Sequence, residues 1–221
     1  MSFHIMVSNY RSRKGQSPVI SSVVMILVVT ALVILTFSWG KEMLESQQVS
    51  VTVTYSQAKL LDIKNAILEV GQEQINSTRI VRMNLRMGSL SVLNGSHCSG
   101  ANVNKNAILY NLTNGRKLIN SLDWVSIDPI EPNIRCSANQ TNSSSGVLIA
   151  RPFSVGNSYA NSFMMWFRQI NDTTSSTSYL INISLGEVSR ISGTSATVVV
   201  RNIGRVNSSG TIHTNVLVDL R

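Results

Sequence analysis

Between Lys14 and Lys41 the chain runs for 26 residues without a formal charge. Within Val19–Trp39, 16 of 21 side chains are apolar, the exceptions being Ser21, Ser22, Thr30, Thr36 and Ser38. A helix of about 20 residues crosses the ~30 Å hydrocarbon core of a bilayer. A soluble core helix is seldom apolar on every side for so long, because one of its faces normally meets water. Residues 16–43 therefore read as a membrane-spanning helix. Its lipid-facing side chains include Val19, Ile20, Val24, Leu27, Val28, Ala31, Leu32 and Leu35, with Phe37 and Trp39 as interfacial anchors at the far end. Arg11, Arg13 and Lys14 precede the span and little charge follows it, so the N-terminus is expected in the cytoplasm and the rest outside.

An ordinary secretory signal pairs a short apolar region with small residues at a cleavage site beyond it. Here the run is too long, and the cleavage-like feature lies before it: Arg13, Lys14, Gly15, then Gln16, Ser17, Pro18, Val19 and Ile20. That order resembles the class III signal of type IV prepilins, and the Lys-Gly junction followed by Ser-Pro-Val-Ile is similar to archaeal members. Bacterial prepilins usually begin with Phe and carry Glu at the fifth mature position, where this chain has Gln16 and Ile20. The resemblance implies that a prepilin peptidase removes residues 1–15 by cutting after Gly15. It further implies that the apolar helix first spans the membrane and then packs against copies of itself in a filament core, with an assembly ATPase and membrane platform acting indirectly. Pro18 suits a helix start, where its missing N–H costs nothing.

The formal charge of +8 suggests nucleic acid at first sight. Three of the cations cluster before the span, and the others are scattered among Asn and Ser without a basic stripe or interleaved aromatics, so no nucleic-acid partner is expected. Charged residues make up 14% against roughly 25% in a typical soluble domain, and Ser, Thr and Asn fill the gap.

Past Gly40 the sequence turns amphipathic, and 44–75 reads as a helical extension. Leu60, Ile63, Ile67 and Val70 recur at helical spacing, with Asp62, Lys64 and Glu69 placed off that stripe. Val49–Tyr55 alternates with period two and competes as a strand. The resemblance favours a continuous helix, about 80 Å long from Ser17 to Val70 at 1.5 Å per residue, with Gly71 as its stop.

From 76 to 221 short strands alternate with polar turns. Strands are expected at Arg79–Leu85, Ala107–Thr113, Arg116–Ser121, Gly146–Phe153, Ser162–Ile170, Ser178–Val188 and Thr194–Arg201, with Asn114-Gly115 closing a hairpin. Ile212, Thr214, Val216, Val218 and Leu220 share one face of a final strand. The stretch Ala196–Gly204 resembles the strand-and-turn ending of archaellin and archaeal pilin heads. The expected fold is α+β: a long apolar N-terminal helix followed by an all-β, Ig-like sandwich outside the membrane.

Cys98 and Cys136 form an even pair in the outer domain, which favours a disulfide, with two free thiols as the alternative. Eight Asn-x-Ser/Thr sequons follow the span, at Asn76, Asn94, Asn111, Asn139, Asn142, Asn171, Asn182 and Asn207. Each is a candidate N-glycosylation site.

Catalytic patterns are sparse. Ser56 and Lys59 fit the S-x-x-K nucleophile motif, but its companion elements are absent, and a solvated helix face is the expected role. His4, His97 and His213 lie apart, Asp128–Glu131 reads as a turn, and no metal, cofactor or enzymatic activity is expected. Two functions fit best, a filament-forming pilin with an exposed, glycosylated head serving adhesion, or a membrane-anchored accessory protein that does not polymerise; a tethered enzyme built on Ser56 and Lys59 is the third.

Overall fold

The computed structural model describes residues 18–85, 88–93, 106–113, 117–129, 144–156, 158–172, 174 and 177–221. The chain divides into two compact units, Met1–Ser50 and Val51–Arg221. One helix, α1 (Pro18–Gln72), contributes to both. Among the described residues eleven strands follow: β1 (Thr78–Asn84), β2 (Gly88–Leu93), β3 (Ala107–Thr113), β4 (Val125–Ser126), β5 (Gly146–Val155), β6 (Ser158–Phe167), β7 (Ile170–Asn171), β8 (Ser178–Leu185), β9 (Arg190–Ser192), β10 (Ser195–Ser208) and β11 (Thr211–Leu220). The class is therefore α+β, a long apolar N-terminal helix followed by sheets.

The strand-like stretch Val49–Tyr55 is helical. Val53, Ser56, Leu60, Ile63, Ile67 and Val70 repeat at intervals of three and four residues, and Ser56 and the last four are wholly buried. Tertiary burial overrides the β preference of Val51–Thr54, since each buried aliphatic side chain stabilises by about 1.5–3 kcal/mol. The compact unit starts at Val51, and the second half of the helix contributes to its core.

The strands form two sheets, ordered β1-β10-β11-β8-β7 and β4-β5-β6-β3-β2-β9. A single apolar cluster joins them to the helix. It takes Met83, Val198, Val200, Val216 and Val218 from the first sheet, and Leu90, Ile108, Tyr110, Leu148 and Phe163 from the second. Two features depart from a plain antiparallel Ig-like sandwich: the helical stripe shares the core, and β11 runs parallel to β8.

Expected and observed strands agree at β1, β3, β5 and β8, and Val216, Val218 and Leu220 of β11 are buried as their alternation requires. The turn Asn114-Gly115 lies outside the described residues, and the strand expected after it is a correction. Both edges of β3 are occupied, by β2 and by β6, so a following strand has nowhere to pair. Residues 117–121 are not strand, and the Leu118 N–H donates to Asn161 Oδ1 at 3.1 Å. Asn202–Gly204 is a β-bulge within β10 instead of a turn, with Gly204 at φ 132°. The chain reverses only at Ser209 (φ 52°) and Gly210 (φ 80°), the two left-handed residues of a type I′ hairpin.

The helix end is held from the sheet. Asn202, itself buried, donates through Nδ2 to the carbonyls of Val70 and Glu73, each at 3.0 Å, and accepts from the Gly204 N–H at 2.9 Å. Arg205 donates to the Gly71 carbonyl at 2.7 Å. Together they supply partners to carbonyls at Val70, Gly71 and Glu73, around the end where a helix runs out of internal donors, and the cation also suits the negative end of the dipole. Gly71 lies inside this last turn, and the left-handed residue that redirects the chain is Asn76 (φ 71°). Replacing Asn202 by Ala should lower the stability of the head by about 1–3 kcal/mol, read as a shift of the denaturant midpoint at constant slope.

Candidate membrane helix and head surface

In the first unit the described side chains of the span are exposed on every side. Ile20, Val24, Leu27, Val28, Ala31, Leu32 and Leu35 all face outward, and Phe37 and Trp39 are 76% and 75% exposed. Val19 lies in the helix. This is the one described helix long and apolar enough to cross a membrane, and none of its most apolar stretch is buried within the chain. Its hydroxyls do not compromise the apolar surface. Thr30 donates to the Ile26 carbonyl at 2.8 Å and Thr36 to that of Leu32, each one turn back along the helix. These two threonine hydroxyls are thus satisfied within the segment, which is what a hydrocarbon environment demands. Charge resumes with Lys41 and Glu45, paired at 3.9 Å. The span is therefore able, by length and composition, to anchor in a membrane.

The junction residues Arg13, Lys14, Gly15 and Gln16 lie outside the described residues, as do Cys98, Cys136, Asn94, Asn139 and Asn142. The other five sequons are distributed unevenly. Asn76 and Asn207 are exposed, while Asn171, also exposed, accepts from Gln169 Nε2 at 3.1 Å and Ser178 Oγ at 2.9 Å. Asn111 is half-buried in β3 and accepts from Ser162 Oγ at 2.6 Å. Asn182 is half-buried in β8, where its Nδ2 donates to Asn215 Oδ1 at 3.3 Å and lies 3.2 Å from His213 Nδ1.

The S-x-x-K residues are not brought together, and the expected solvated face is corrected for one of them. Ser56 points into the core, its Oγ donating to the Tyr110 hydroxyl at 3.5 Å. Burial pushes the Tyr110 phenol up, and the Ser56 contact opposes that rise. Lys59 is half-buried and bonded to Asp62 at 2.8 Å, and this carboxylate holds its ammonium above the ordinary lysine value. A general-base lysine needs the opposite shift.

Lys64 is the second correction. Instead of lying on the polar face it is 2% exposed and pairs with the fully buried Asp128 at 2.7 Å. Asp128 also accepts from the Leu148 N–H at 3.3 Å, so the expected turn residue ties α1 to β5. Lys64 sits four residues after Leu60 and one after Ile63, within the width of the buried stripe; only its charge argued for the other face. Asn202, Arg205 and Asn106 escaped sequence reading entirely. Asn106 donates to the Ile181 carbonyl at 2.8 Å and accepts from the Ile183 N–H at 3.2 Å, standing in for a neighbouring strand along β8.

An open depression of roughly 460 Å³ lies beside the helix end, lined by Leu68, Tyr179, Ile212 and Arg205 among others. The Arg205 guanidinium is already engaged with the Gly71 carbonyl. Among the described residues no three His, Cys, Asp or Glu side chains are grouped to hold a metal ion. Comparison with protein families, with curated proteins and with solved structures gives no match.

Proposed function

We propose that the chain is a structural subunit, a pilin, of an archaeal type IV pilus-like surface filament. The carrying observation is the apolar surface of α1, exposed on all sides from Ile20 to Trp39 in a helix that continues without interruption to Gln72, ahead of the strands. Such a surface needs either lipid or copies of itself, and a subunit that exchanges one for the other needs no new contacts of its own head. In this reading the precursor sits in the cell membrane with its N-terminus cytoplasmic and its head outside. A prepilin peptidase cuts after Gly15, removing the cations Arg11, Arg13 and Lys14 that would hold the helix at the cytoplasmic face. An assembly ATPase and membrane platform then drive helix packing into a filament core, leaving a glycosylated, sandwich-like head of Ig-related type exposed for adhesion. Cys98 and Cys136 would close a loop within that head.

Replacing Gly15 by Phe should leave an uncut precursor in the membrane. Surface filaments sheared from cells and examined by mass spectrometry should contain an abundant subunit beginning at Gln16. A mature chain beginning after Trp39 would end the pilin reading. A correctly cut chain that stays in the membrane fraction and is missing from filaments would identify a non-polymerising accessory protein.

A further inference from the structure

The five described sequons share a motif but not a chemistry, because a sugar can join only an asparagine whose amide is free and whose neighbouring hydroxyl is available. Asn182 and Asn111 lie in strands flanked on both sides. Asn182 is bonded to Asn215 and approached by His213, and Asn111 is bonded to Ser162. A glycan on Asn182 would compete for the Nδ2 that bonds Asn215, and on Asn111, whose bond runs through Oδ1, it would force a bulky polar group into a half-buried sheet face. Asn171 is gripped through its carbonyl oxygen by Gln169 and Ser178. Asn76 holds a left-handed backbone at the helix end, its N–H donating to the Asn202 carbonyl at 2.8 Å. Its sequon hydroxyl, on Thr78, is spent on the Asn76 carbonyl at 3.2 Å.

Asn207 differs on each count. It is exposed at the outer end of β10, opposite Ile212 and two residues before the Ser209-Gly210 turn, and Ser208 and Ser209 are exposed with it. The same ribbon carries a second signal. Ile203 and Val206 are 43% and 56% exposed, and Ile75 is 63% exposed, its Cδ1 reaching the Gly204 bulge at the ribbon's base. From Val206 to Val218 there is no Lys, Arg, Asp or Glu to hydrate this apolar surface. A neutral, strongly hydrated sugar on Asn207 shields Ile212, its cross-strand neighbour on the same face, without adding charge, while Val206 points to the other face.

We propose that, among the described sequons, Asn207 is the glycan acceptor of the head, and that Asn111 and Asn182 are structural asparagines that stay unmodified. The proposal rests on the outward-facing head of the filament reading. The donor is a lipid-phosphate-linked oligosaccharide. Asn207 Nδ2 bonds to its anomeric carbon, the carbon–oxygen bond to phosphate breaks with its electron pair leaving on the lipid phosphate, and one amide proton passes to a base of the transferring enzyme.

The test expresses the full chain in cells that transfer lipid-linked glycan to sequons, then cuts it after Lys and Arg. The peptide Val206–Arg221, which holds Asn207 as its only sequon, should carry the glycan mass, while Asn106–Arg116 and the Asn182 fragment ions should not. Asn207→Gln, or Ser209→Gly at a position whose φ suits glycine, should abolish that mass shift completely. A bare Asn207 beside a modified Asn76, Asn111 or Asn182 would overturn the assignment and leave the outward head intact. If no sequon is modified, the assignment falls as well. Protease added to intact cells then separates the causes: a digested head leaves the filament reading standing, and a protected head removes it too.

Discussion

Subunits with Asp in place of Val28 or Leu32 should disappear from filaments while their heads fold normally. Both side chains lie at the middle of the apolar span and face outward, so neither contributes to the head core. A carboxylate at the centre of a spanning helix costs roughly 2.5–3.5 kcal/mol on insertion scales, on the order of a 100-fold loss of inserted chain. In a helical assembly the same unpartnered charge recurs in every subunit, so the effect on polymer is far larger than on one molecule. Filament yield by shearing and sedimentation gives the readout, with the circular dichroism of a chain beginning at Leu44 as the control for folding. That shortened chain retains the whole compact unit Val51–Arg221 and should be a soluble monomer. Filaments of normal number and length from the Asp variants would show that the helix is an anchor and nothing more.

Replacing Lys64 by Met should destabilise the head by about 3–5 kcal/mol, because it leaves the Asp128 carboxylate buried without its cation. The double variant Lys64→Met, Asp128→Leu should recover at least half of that loss. Removing both charges also removes the desolvation that the pair suffers, although the Leu148 N–H then loses an acceptor. Chemical denaturation of the single and double variants closes a thermodynamic cycle. A loss below about 1 kcal/mol in the single variant would mean that Lys64 reaches solvent and the pair is not formed.

The parts of this fold that were legible beforehand are those whose signal is local. An uninterrupted apolar run identifies the span, and strict alternation identifies the buried face of β11, because each depends on neighbours within a few residues. The strand expected after β3 failed for a reason that no local pattern contains: β3 is already paired along both edges. Lys64 was misplaced because charge was weighed above spacing, and its partner Asp128 lies 64 residues away. The Asn202 cap is invisible in the same way, since an asparagine inside a strand region reads as a turn until the helix end it serves is known. Among the candidate site residues, those of the apolar run were readable as an exposed, apolar stretch of helix. The sequons were readable as a motif only; which of them is free depends on hydrogen bonds across the sheets.

The cap that Asn202 places on Val70 joins residues 132 positions apart. During synthesis at ~5–20 residues per second, roughly 7–26 s separate the appearance of the helix end from that of its cap. Val216, Val218 and Leu220, which complete the wall over the helical stripe, arrive later still. Through that interval Leu60, Ile63, Ile67 and Val70 have no finished core to enter, and the Lys64 ammonium has no Asp128 until its midpoint. Long-range closures of this kind slow folding, because loop entropy is lost before contacts compensate. The nascent chain must therefore be shielded on its way out, and shortening its final strand would expose the oldest part of the head, not the newest.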